Sequence, residues 1–205
     1  MPRRTPEEAE KTRQSILKAA AKLFIDQGYE QTSLSDIATA AGVTRGAIYW
    51  HFDNKSDLMC ELCEALASDR LNELLYQATN PDCQDPLSYF KLWLLAHSER
   101  DSVQYFSSAI FKVVDRLYFV NEEVHDKLNH LVRELHEQIQ AMILNCIKKG
   151  QLPAELDVGL ATDSVIIFIV GYLKMVKLDM AERVISNFPM LVEHFMMVLP
   201  NIRGA

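Results

Sequence analysis

The chain has 205 residues and a formal net charge of −7; 49% of its residues are hydrophobic, and glycine and proline occur seven times each. This composition suits one domain or two small ones around a sizeable core, and it excludes a disordered chain and a turn-rich all-β fold. The longest apolar run covers nine residues, 165–173, whereas a membrane-spanning helix needs about 20, and no apolar signal-peptide core opens the chain, so we expect a soluble, cytoplasmic protein without a membrane partner.

Helical periodicity begins close to the first residue. Ile16, Ala20 and Phe24 share one face, which predicts a first helix over residues 6–27 that ends at Gly28. A short second helix is predicted over residues 34–41, and Gly42 after it favours a tight turn.

Polar residues mark the starts of these early helices. Thr32 or Ser33 is suited to cap the second helix, with Asp36 three residues after Ser33 in a capping-box arrangement. Thr44 is suited to cap a third helix over residues 45–51. Asn54 precedes a long amphipathic fourth helix, which we expect to run without a break from residue 55 into residues 66–75.

The rest of the chain also follows helical patterns. Pro81 and Pro86 indicate a loop, after which two helices are expected within residues 87–117. Further helices are predicted over residues 121–150 and 157–180, and a last one is predicted to begin at Pro189 and end before residue 200. Since no segment favours a strand, the predicted fold class is all-α.

The second and third helices have the features of a helix-turn-helix. Small or apolar residues are placed to fill the space between them: Ile37, Ala38, Val43 and Ile48. This packing leaves an outward face on residues 45–51 that is rich in hydrogen-bond donors. The N-terminal end of such a helix can enter the major groove of DNA, where Thr44 and Arg45 would reach base edges.

Further along this segment, Tyr49, His51 and Lys55 carry donors suited to phosphate oxygens. Other roles remain open for the aromatic residues. Tyr49 and Phe52 also suit a core, and Trp50 suits either packing on neighbouring helices or contact with the DNA backbone.

Charge separates the two parts of the chain. Residues 1–55 hold eight Lys and Arg against seven Asp and Glu, whereas residues 56–205 hold 13 against 21. The first part therefore has a net charge of +1 and the second of −8. An acidic protein with a locally basic head can still present that head to phosphates.

The segment TSLSDIATAAGVTRGAIYWHFDNKSDL, residues 32–58, resembles the DNA-binding head of the TetR family of bacterial repressors. The family pattern of an Ile-Ala pair, Ala-Gly-Val, Gly-x-Ile-Tyr and His-Phe-x-Asn-Lys-x-x-Leu is present without a gap. The later segments ILNCIKKGQLPAELD and GYLKMV resemble the AcrR-like branch, which regulates multidrug efflux pumps.

The resemblance implies an N-terminal three-helix helix-turn-helix head over residues 1–55 and a C-terminal helical body for ligand binding and dimerisation over residues 56–205. It implies a dimeric repressor that binds a pseudo-palindromic operator in double-stranded DNA and is released by a small hydrophobic effector. The predicted DNA-binding residues are Thr32, Ser33, Thr44, Arg45, Gly46, Tyr49, Trp50, His51 and Lys55. The alternative is a TetR-like regulator that responds to a partner protein or has no small-molecule inducer.

Aromatic residues with a few polar groups describe the expected effector site. The candidate ligand-binding residues are Leu66, Phe90, Trp93, His97, Phe106, Ile110, Phe111 and Phe168. Each of them also suits an ordinary core. An effector among them is expected to displace the fourth helix and change the distance between the two recognition helices of a dimer.

The segment VIIFIVGYL, residues 165–173, is apolar on every side and therefore needs cover on every side. We expect one side to face the core of the chain and the other a second copy, in a four-helix interface with the last helix. The last helix contributes Leu191, Val192, Phe195, Met196 and Leu199 to this expectation. The alternative is a buried central helix within a monomer.

Cys60 and Cys63 form a Cys-x-x-Cys pair, but no second pair and no His-x-x-x-His supplies further zinc ligands. We expect reduced, unpaired cysteines, with redox sensing as the alternative. The chain lacks G-x-S-x-G, a glycine-rich phosphate loop and H-E-x-x-H. The sequence therefore predicts no enzyme, no metal site and no cofactor.

Overall fold

The computed structural model describes residues 5–64, 69–98, 121–176 and 181–204. Within these ranges the chain forms helices and no strand, which confirms the predicted all-α fold. The helices are α1 Pro6–Gln27, α2 Leu34–Ala41, α3 Arg45–His51, α4 Lys55–Glu64, α5 Asp69–Thr79, α6 Pro86–Ala96, α7 Glu122–Lys148, α8 Val158–Met175 and α9 Ala181–Val198. A short 3-10 helix, Leu199–Asn201, follows α9.

Helix α1 has the predicted bounds because both of its ends are specified locally. Thr5 and Glu8 form a capping box, in which Thr5 Oγ1 accepts from the Glu8 N–H at 3.2 Å and the Glu8 carboxylate accepts from the Thr5 N–H at 2.9 Å. At the other end Gly28 has a φ of 93°, in the region that favours glycine. Ile16 and Phe24 on the predicted face are buried.

Helices α2 and α3 form the predicted helix-turn-helix. Ser33, rather than Thr32, caps α2, and its hydroxyl accepts from the Asp36 N–H at 3.2 Å. Gly42 ends α2 with a φ of 67°, in the left-handed region, and this conformation lets the chain turn into α3. The buried residues of the two helices are Ile37, Ala38 and Ile48.

The described residues form two compact units. The first unit contains residues 5–64 and 121–130, and the second contains residues 69–98, 131–176 and 181–204. The predicted functional division between residues 55 and 56 stays a prediction, because a compact unit is not by itself a functional domain.

The second unit has its own hydrophobic core, which is drawn from α5 to α9. Its fully buried side chains include Phe90, Leu94, Ile139, Met142, Val165 and Phe188. Stacked aromatic rings join α8 to α9: the ring centroids of Tyr172 and Phe188 are 3.7 Å apart, and those of Phe168 and Phe195 are 4.6 Å apart.

The last helix begins earlier than predicted. It starts at Ala181 and contains Pro189 in its interior, so the prediction that it begins at Pro189 was wrong. A proline removes one backbone hydrogen bond from a helix. The fully buried Phe188 and Val192 continue the core face across the proline at helical spacing, and burial of this face stabilises the helix on both sides of it.

Several other predicted boundaries meet residues outside the described ranges. Helix α6 is one of the two helices predicted within residues 87–117, and the second falls in residues 99–120. Helices α4 and α5 lie on either side of residues 65–68, so the continuity of the predicted fourth helix is not tested. Helix α8 ends at Met175 with Val176 as its C-cap, before the predicted end at residue 180.

Helix α8 is long and apolar enough to cross a membrane by length and composition alone, although only 28% of its residues are buried. One such helix is weak evidence for a membrane span, because core and interface helices have the same composition. Val165 and Ile169 pack in the core of the second unit, whereas Ile167 is 70% exposed. Helix α8 therefore has one face in the core and one apolar face that needs cover in water.

Candidate nucleic-acid interface

The first turn of α3 is exposed. Thr44 caps the helix, and its Oγ1 accepts from the Ala47 N–H at 3.2 Å. Arg45 and Gly46 follow, and both are exposed. A β-carbon on Gly46 would meet one described atom within 4 Å, the Thr44 Oγ1 at 3.9 Å, which is an ordinary contact. Packing among the described residues does not require glycine here, although glycine weakens a helix.

Arg45 and Tyr49 lie one helical turn apart and contact each other. The Arg45 Nη2 donates to the Tyr49 Oη at 3.0 Å, and the guanidinium carbon lies 5.5 Å from the centroid of the Tyr49 ring. Tyr49 is exposed, so it is not a core aromatic. The two side chains form a joint polar and aromatic surface on the outward face of α3.

Trp50 continues this outward face. It is 73% exposed, which argues against packing on the neighbouring helices and leaves contact with a DNA backbone as its predicted role. Its ring meets the His51 ring edge-on, with centroids 4.6 Å apart. Phe52, by contrast, is buried at the end of α3, which confirms the core role that was one of its alternatives.

The loop between α1 and α2 contains two further residues that were predicted to bind DNA, Thr32 and Ser33. Ser33 is exposed, and its hydroxyl donates to the Asp36 carboxylate at 2.6 Å; this hydrogen bond, together with one from the Ser33 N–H, lowers the pKa of Asp36. Thr32 is buried, and its hydroxyl donates to the Gly28 carbonyl oxygen at 2.7 Å and accepts from the Gln27 side chain at 3.2 Å. The structure therefore presents Ser33 to solvent, whereas the Thr32 side chain stabilises the loop.

Lys55 faces the same loop. Its Nζ donates to the carbonyl oxygens of Tyr29 at 2.8 Å and Thr32 at 3.1 Å, and it lies 4.2 Å from the centroid of the Tyr29 ring. Contact with a phosphate was predicted for Lys55, and this contact stays a prediction. The two hydrogen bonds also give Lys55 a structural role, in which it holds the α1–α2 loop against the start of α4.

We expect Lys55→Met to lower the free energy of unfolding by about 1–3 kcal/mol, because two carbonyl oxygens lose their donor. Urea unfolding at neutral pH measures this change, and Lys22→Met, at an exposed lysine of α1, is the matched control. The opposite result would be unchanged stability together with a weaker salt dependence, in which the slope of log binding constant against log salt concentration falls by about one. That result would assign Lys55 to a phosphate rather than to the loop.

The first turn of α7 contacts α4 within the first unit. The Asn121 Nδ2 donates to the Ser56 Oγ at 3.1 Å, and the same oxygen lies 3.1 Å from the Tyr29 Oη. The Cys60 thiol lies 4.0 Å from the Glu123 carbonyl oxygen. From the sequence, Asn121 was recognised only as the start of a helix. Its bond to Ser56, 65 positions away, has no local sequence signal.

Four of the predicted effector-site residues are described, all in the second unit. Phe90 and Trp93 of α6 are buried in the core with ring centroids 6.5 Å apart, and the His97 ring meets Trp93 edge-on at 4.8 Å. Phe168 of α8 stacks on rings of α9. The others, Leu66, Phe106, Ile110 and Phe111, lie outside the described residues. The effector site as a whole stays a prediction.

His97 has a defined protonation state. Its Nδ1 lies 2.8 Å from the Trp93 carbonyl oxygen, and a carbonyl only accepts, so Nδ1 carries the proton. Burial, which outweighs hydrogen bonds to the backbone of Trp93 and Leu94, lowers the pKa of His97 to about 4. The ring is therefore neutral at pH 7, and Nε2 is a hydrogen-bond acceptor.

A shallow groove of about 380 Å³ also occurs in the second unit, lined by Thr79, Glu134, Glu137, Gln138 and Ala141. None of the predicted effector-site residues lines it. Its two carboxylates do not match the hydrophobic effector expected from the sequence.

None of the cysteines that the structure describes forms a disulfide. Cys60 and Cys146 are buried and Cys83 is half-buried. Burial raises the pKa of the Cys146 thiol to about 12, so this thiol is protonated and unreactive at neutral pH. The Cys63 side chain lies outside the described part of the chain, and redox sensing by Cys60 and Cys63 is not tested.

Comparison with known proteins identifies the helix-turn-helix. Residues 16–62 match the family described as bacterial regulatory proteins, tetR family. The chain is similar to the HTH-type transcriptional regulator AcrR of Shigella flexneri, with 40% identity over 161 residues that cover 76% of this chain and 74% of AcrR.

Solved structures share the fold. The structure of the SmeT–triclosan complex has a TM-score of 0.77 at 20% identity and covers 92% of this chain and 90% of SmeT. A second structure, of SmeT as the repressor of the Stenotrophomonas maltophilia multidrug efflux pump SmeDEF, has a TM-score of 0.71 at 21% identity and covers 91% of this chain and 88% of that one.

The sequence match and the local geometry agree on one assignment. The relative at 40% identity is a transcriptional regulator, which confirms that the chain is not an enzyme. The matched residues include α2 and α3, the turn at Gly42 that joins them, and the exposed face of α3 that is rich in hydrogen-bond donors. The chain belongs to the TetR family of bacterial transcriptional regulators, in its AcrR-like branch.

Proposed function

We propose that the protein is a cytoplasmic, dimeric transcriptional repressor that binds a pseudo-palindromic operator through α3, is released by a small hydrophobic effector and controls a multidrug efflux pump. The observation that carries this proposal is the outward face of α3, the second helix of the helix-turn-helix, on which Arg45, Tyr49 and Trp50 are exposed to solvent. Nothing in the packing of the described residues explains these side chains, whereas a DNA groove does.

We assign the contacts along α3 by position. Arg45, at the helix start, suits a bidentate contact to the guanine edge in the major groove, beside Thr44. Trp50 and His51, at the other end of the helix, suit the DNA backbone, and the exposed Ser33 at the start of α2 suits a neighbouring phosphate.

Gly46→Ala is expected to stabilise the fold and weaken DNA binding. The space around Gly46 accepts a methyl group, so the free energy of unfolding should rise by about 0.5–1 kcal/mol. If DNA approaches Gly46 closely, the same methyl group should weaken operator binding about tenfold, as expected for roughly 1–3 kcal/mol of overpacking. Urea unfolding and fluorescence anisotropy with labelled operator measure the two effects.

The matched control is Gly159→Ala, at the corresponding exposed position in the first turn of α8, where a β-carbon would also make an ordinary contact, 3.5 Å from the Asp157 Oδ1. It should leave operator binding unchanged. A Gly46→Ala protein with higher stability and unchanged operator affinity would remove Gly46 from the interface.

The proposal of a dimer rests on the exposed apolar residues of α8 and α9. These residues are Leu160, Ile167 and Val170 on α8, and Met190, Leu191, Met197 and Val198 on α9. Because they recur at helical spacing, they form one outward stripe on each helix. Two such helices from each of two copies make a four-helix interface around a two-fold axis.

The α9 part of this stripe differs from the expected one. Val192 and Leu199, which were predicted to reach the partner, are fully buried in the chain's own core, and Phe195 and Met196 are half-buried. The hydrophobic residues of α9 were recognised from the sequence, but their hydrophobicity did not distinguish the side of the helix that faces the core from the exposed side.

For the effector we propose a small apolar molecule that also carries an O–H or N–H group. The buried aromatic rings of Phe90 and Trp93 suit its apolar part, and the acceptor Nε2 of His97 suits its donor. SmeT, which shares the fold, has been crystallised with triclosan. A TetR-like regulator that responds to a partner protein is the alternative.

A thermal-shift screen of dyes, bile salts, antibiotics and fatty-acid derivatives, followed by titration of the hits with and without operator, tests induction. If the effector weakens operator binding about 100-fold, the coupling free energy between the two sites is about 2.7 kcal/mol. By reciprocity, operator must weaken effector binding by the same factor. Equal effector affinities with and without operator would rule out this form of induction. A screen without hits, on a protein that does bind operator, would favour the partner-protein alternative.

A further inference from the structure

The contact between Arg45 and Tyr49 has a consequence for how the head reads DNA. Arg45 is exposed, yet the hydroxyl and the ring of Tyr49 hold its guanidinium. We propose that Tyr49 is a positioning residue for Arg45, so that the tyrosine contributes to base discrimination through the arginine rather than through its own contact with DNA. This inference rests on the proposed DNA-binding function of α3.

The spacing of the two residues makes the contact possible. Residues four apart on a helix stand on the same face, so the Arg45 side chain can lie along the turn towards Tyr49. An Nη2 hydrogen bond of 3.0 Å holds one end of the guanidinium, and the central carbon of the guanidinium lies 5.5 Å from the ring centroid, within cation–π distance. The remaining guanidinium N–H groups stay available for a base edge.

Fixing Arg45 before DNA arrives should increase discrimination. A long, free arginine loses rotamer freedom when it binds, and a side chain held in place beforehand loses less. A bidentate contact also depends on the orientation of the guanidinium plane, so a held arginine discriminates between bases better than a mobile one. An exposed arginine without a partner could instead turn to any nearby phosphate, which carries no sequence information.

The competing account is that the Tyr49 hydroxyl donates directly to a phosphate. The two accounts differ in what Tyr49→Phe does. Loss of a phosphate contact weakens binding to every sequence alike, whereas loss of arginine positioning weakens binding to the operator and leaves binding to unrelated DNA nearly unchanged.

The test is a double-mutant cycle on the full-length protein. The operator is first selected from a random DNA pool with the wild-type protein, and Kd is measured for operator and scrambled DNA at one salt concentration. The variants are Tyr49→Phe, Arg45→Ala and the double variant, and Tyr76→Phe, at an exposed tyrosine of α5, is the control. Because Tyr49 is exposed, Tyr49→Phe is expected to fold, and its urea unfolding curve checks this.

We expect Tyr49→Phe to lower the ratio of scrambled to operator Kd by about three- to tenfold, and to change it by less than about twofold when Arg45 is already alanine. Equal weakening on both DNAs, or the same loss in the Arg45→Ala protein, would overturn the proposal. Failure of the proposed function looks different, since the wild-type protein would then show no preference for any selected sequence.

Discussion

Ile167→Glu is expected to break the dimer into monomers and to abolish tight operator binding. Ile167 is 70% exposed in the middle of the outward stripe of α8. An isologous interface contains the same patch twice, so one substitution places two carboxylates in an apolar contact, where an unpaired charge costs several kcal/mol. A monomer holds one half-site only, and the loss of the second should weaken operator binding by about 100- to 10,000-fold.

Sedimentation velocity at micromolar concentration and operator anisotropy measure the two effects of this substitution. Val132→Glu, at an exposed apolar residue of α7 outside the stripe, is the matched control and should remain dimeric. A wild-type monomer at micromolar concentration would contradict the proposed dimer. An Ile167→Glu protein that remains dimeric would place the interface elsewhere.

Acidification from pH 6.5 to pH 4 is expected to remove up to about 3 kcal/mol of stability through His97. Its pKa in the folded chain is about 4, below the value of about 6.5 for an unfolded histidine. Between these values the unfolded state binds more protons, so stability rises with pH and is lost as pH falls through the window. One pKa unit corresponds to about 1.4 kcal/mol. The contribution of His97 to the free energy of unfolding is therefore complete above pH 6.5 and absent below pH 4.

The His97→Leu variant separates this contribution from other acid effects. Urea unfolding of the wild type and of the variant at pH 7, 5.5 and 4 gives the difference in pH dependence, and His130→Leu, at an exposed histidine of α7, is the control. His97→Leu should flatten the pH dependence by the stated amount. Parallel pH curves for wild type and His97→Leu would show that His97 titrates alike in folded and unfolded chains.

Local signals explain why the head could be predicted from the sequence. The bounds of α1, α2 and α3 follow from caps and glycines within a few residues of each end, such as Ser33 with Asp36 and Gly42 with its left-handed φ. The last helix shows the limit of such signals, because Pro189 indicates a helix start locally, whereas the buried Phe188 and Val192 carry the helix through it.

The parts of the site that the sequence did not predict depend on contacts between distant residues. The charge of Lys55 suggests a phosphate contact, but the sequence does not show that its ammonium group donates to carbonyl oxygens 23 and 26 positions away. Thr32 and Ser33 are equally suited to capping or to DNA contact, and only the folded loop decides that the first is buried and the second exposed. The hydrogen bond between Arg45 and Tyr49 is local. Helical periodicity shows that the two residues share one face of the helix, but it does not show that their side chains bond to each other.

Selection of DNA from a random pool by the full-length wild-type protein tests the central claim most directly. If α3 is the recognition helix of a dimeric repressor, the enriched DNA should be a pseudo-palindrome, with half-site centres separated by about 10–10.5 base pairs or a multiple of that distance. A pool without any enriched sequence, or an enriched sequence without two-fold symmetry, would contradict the claim.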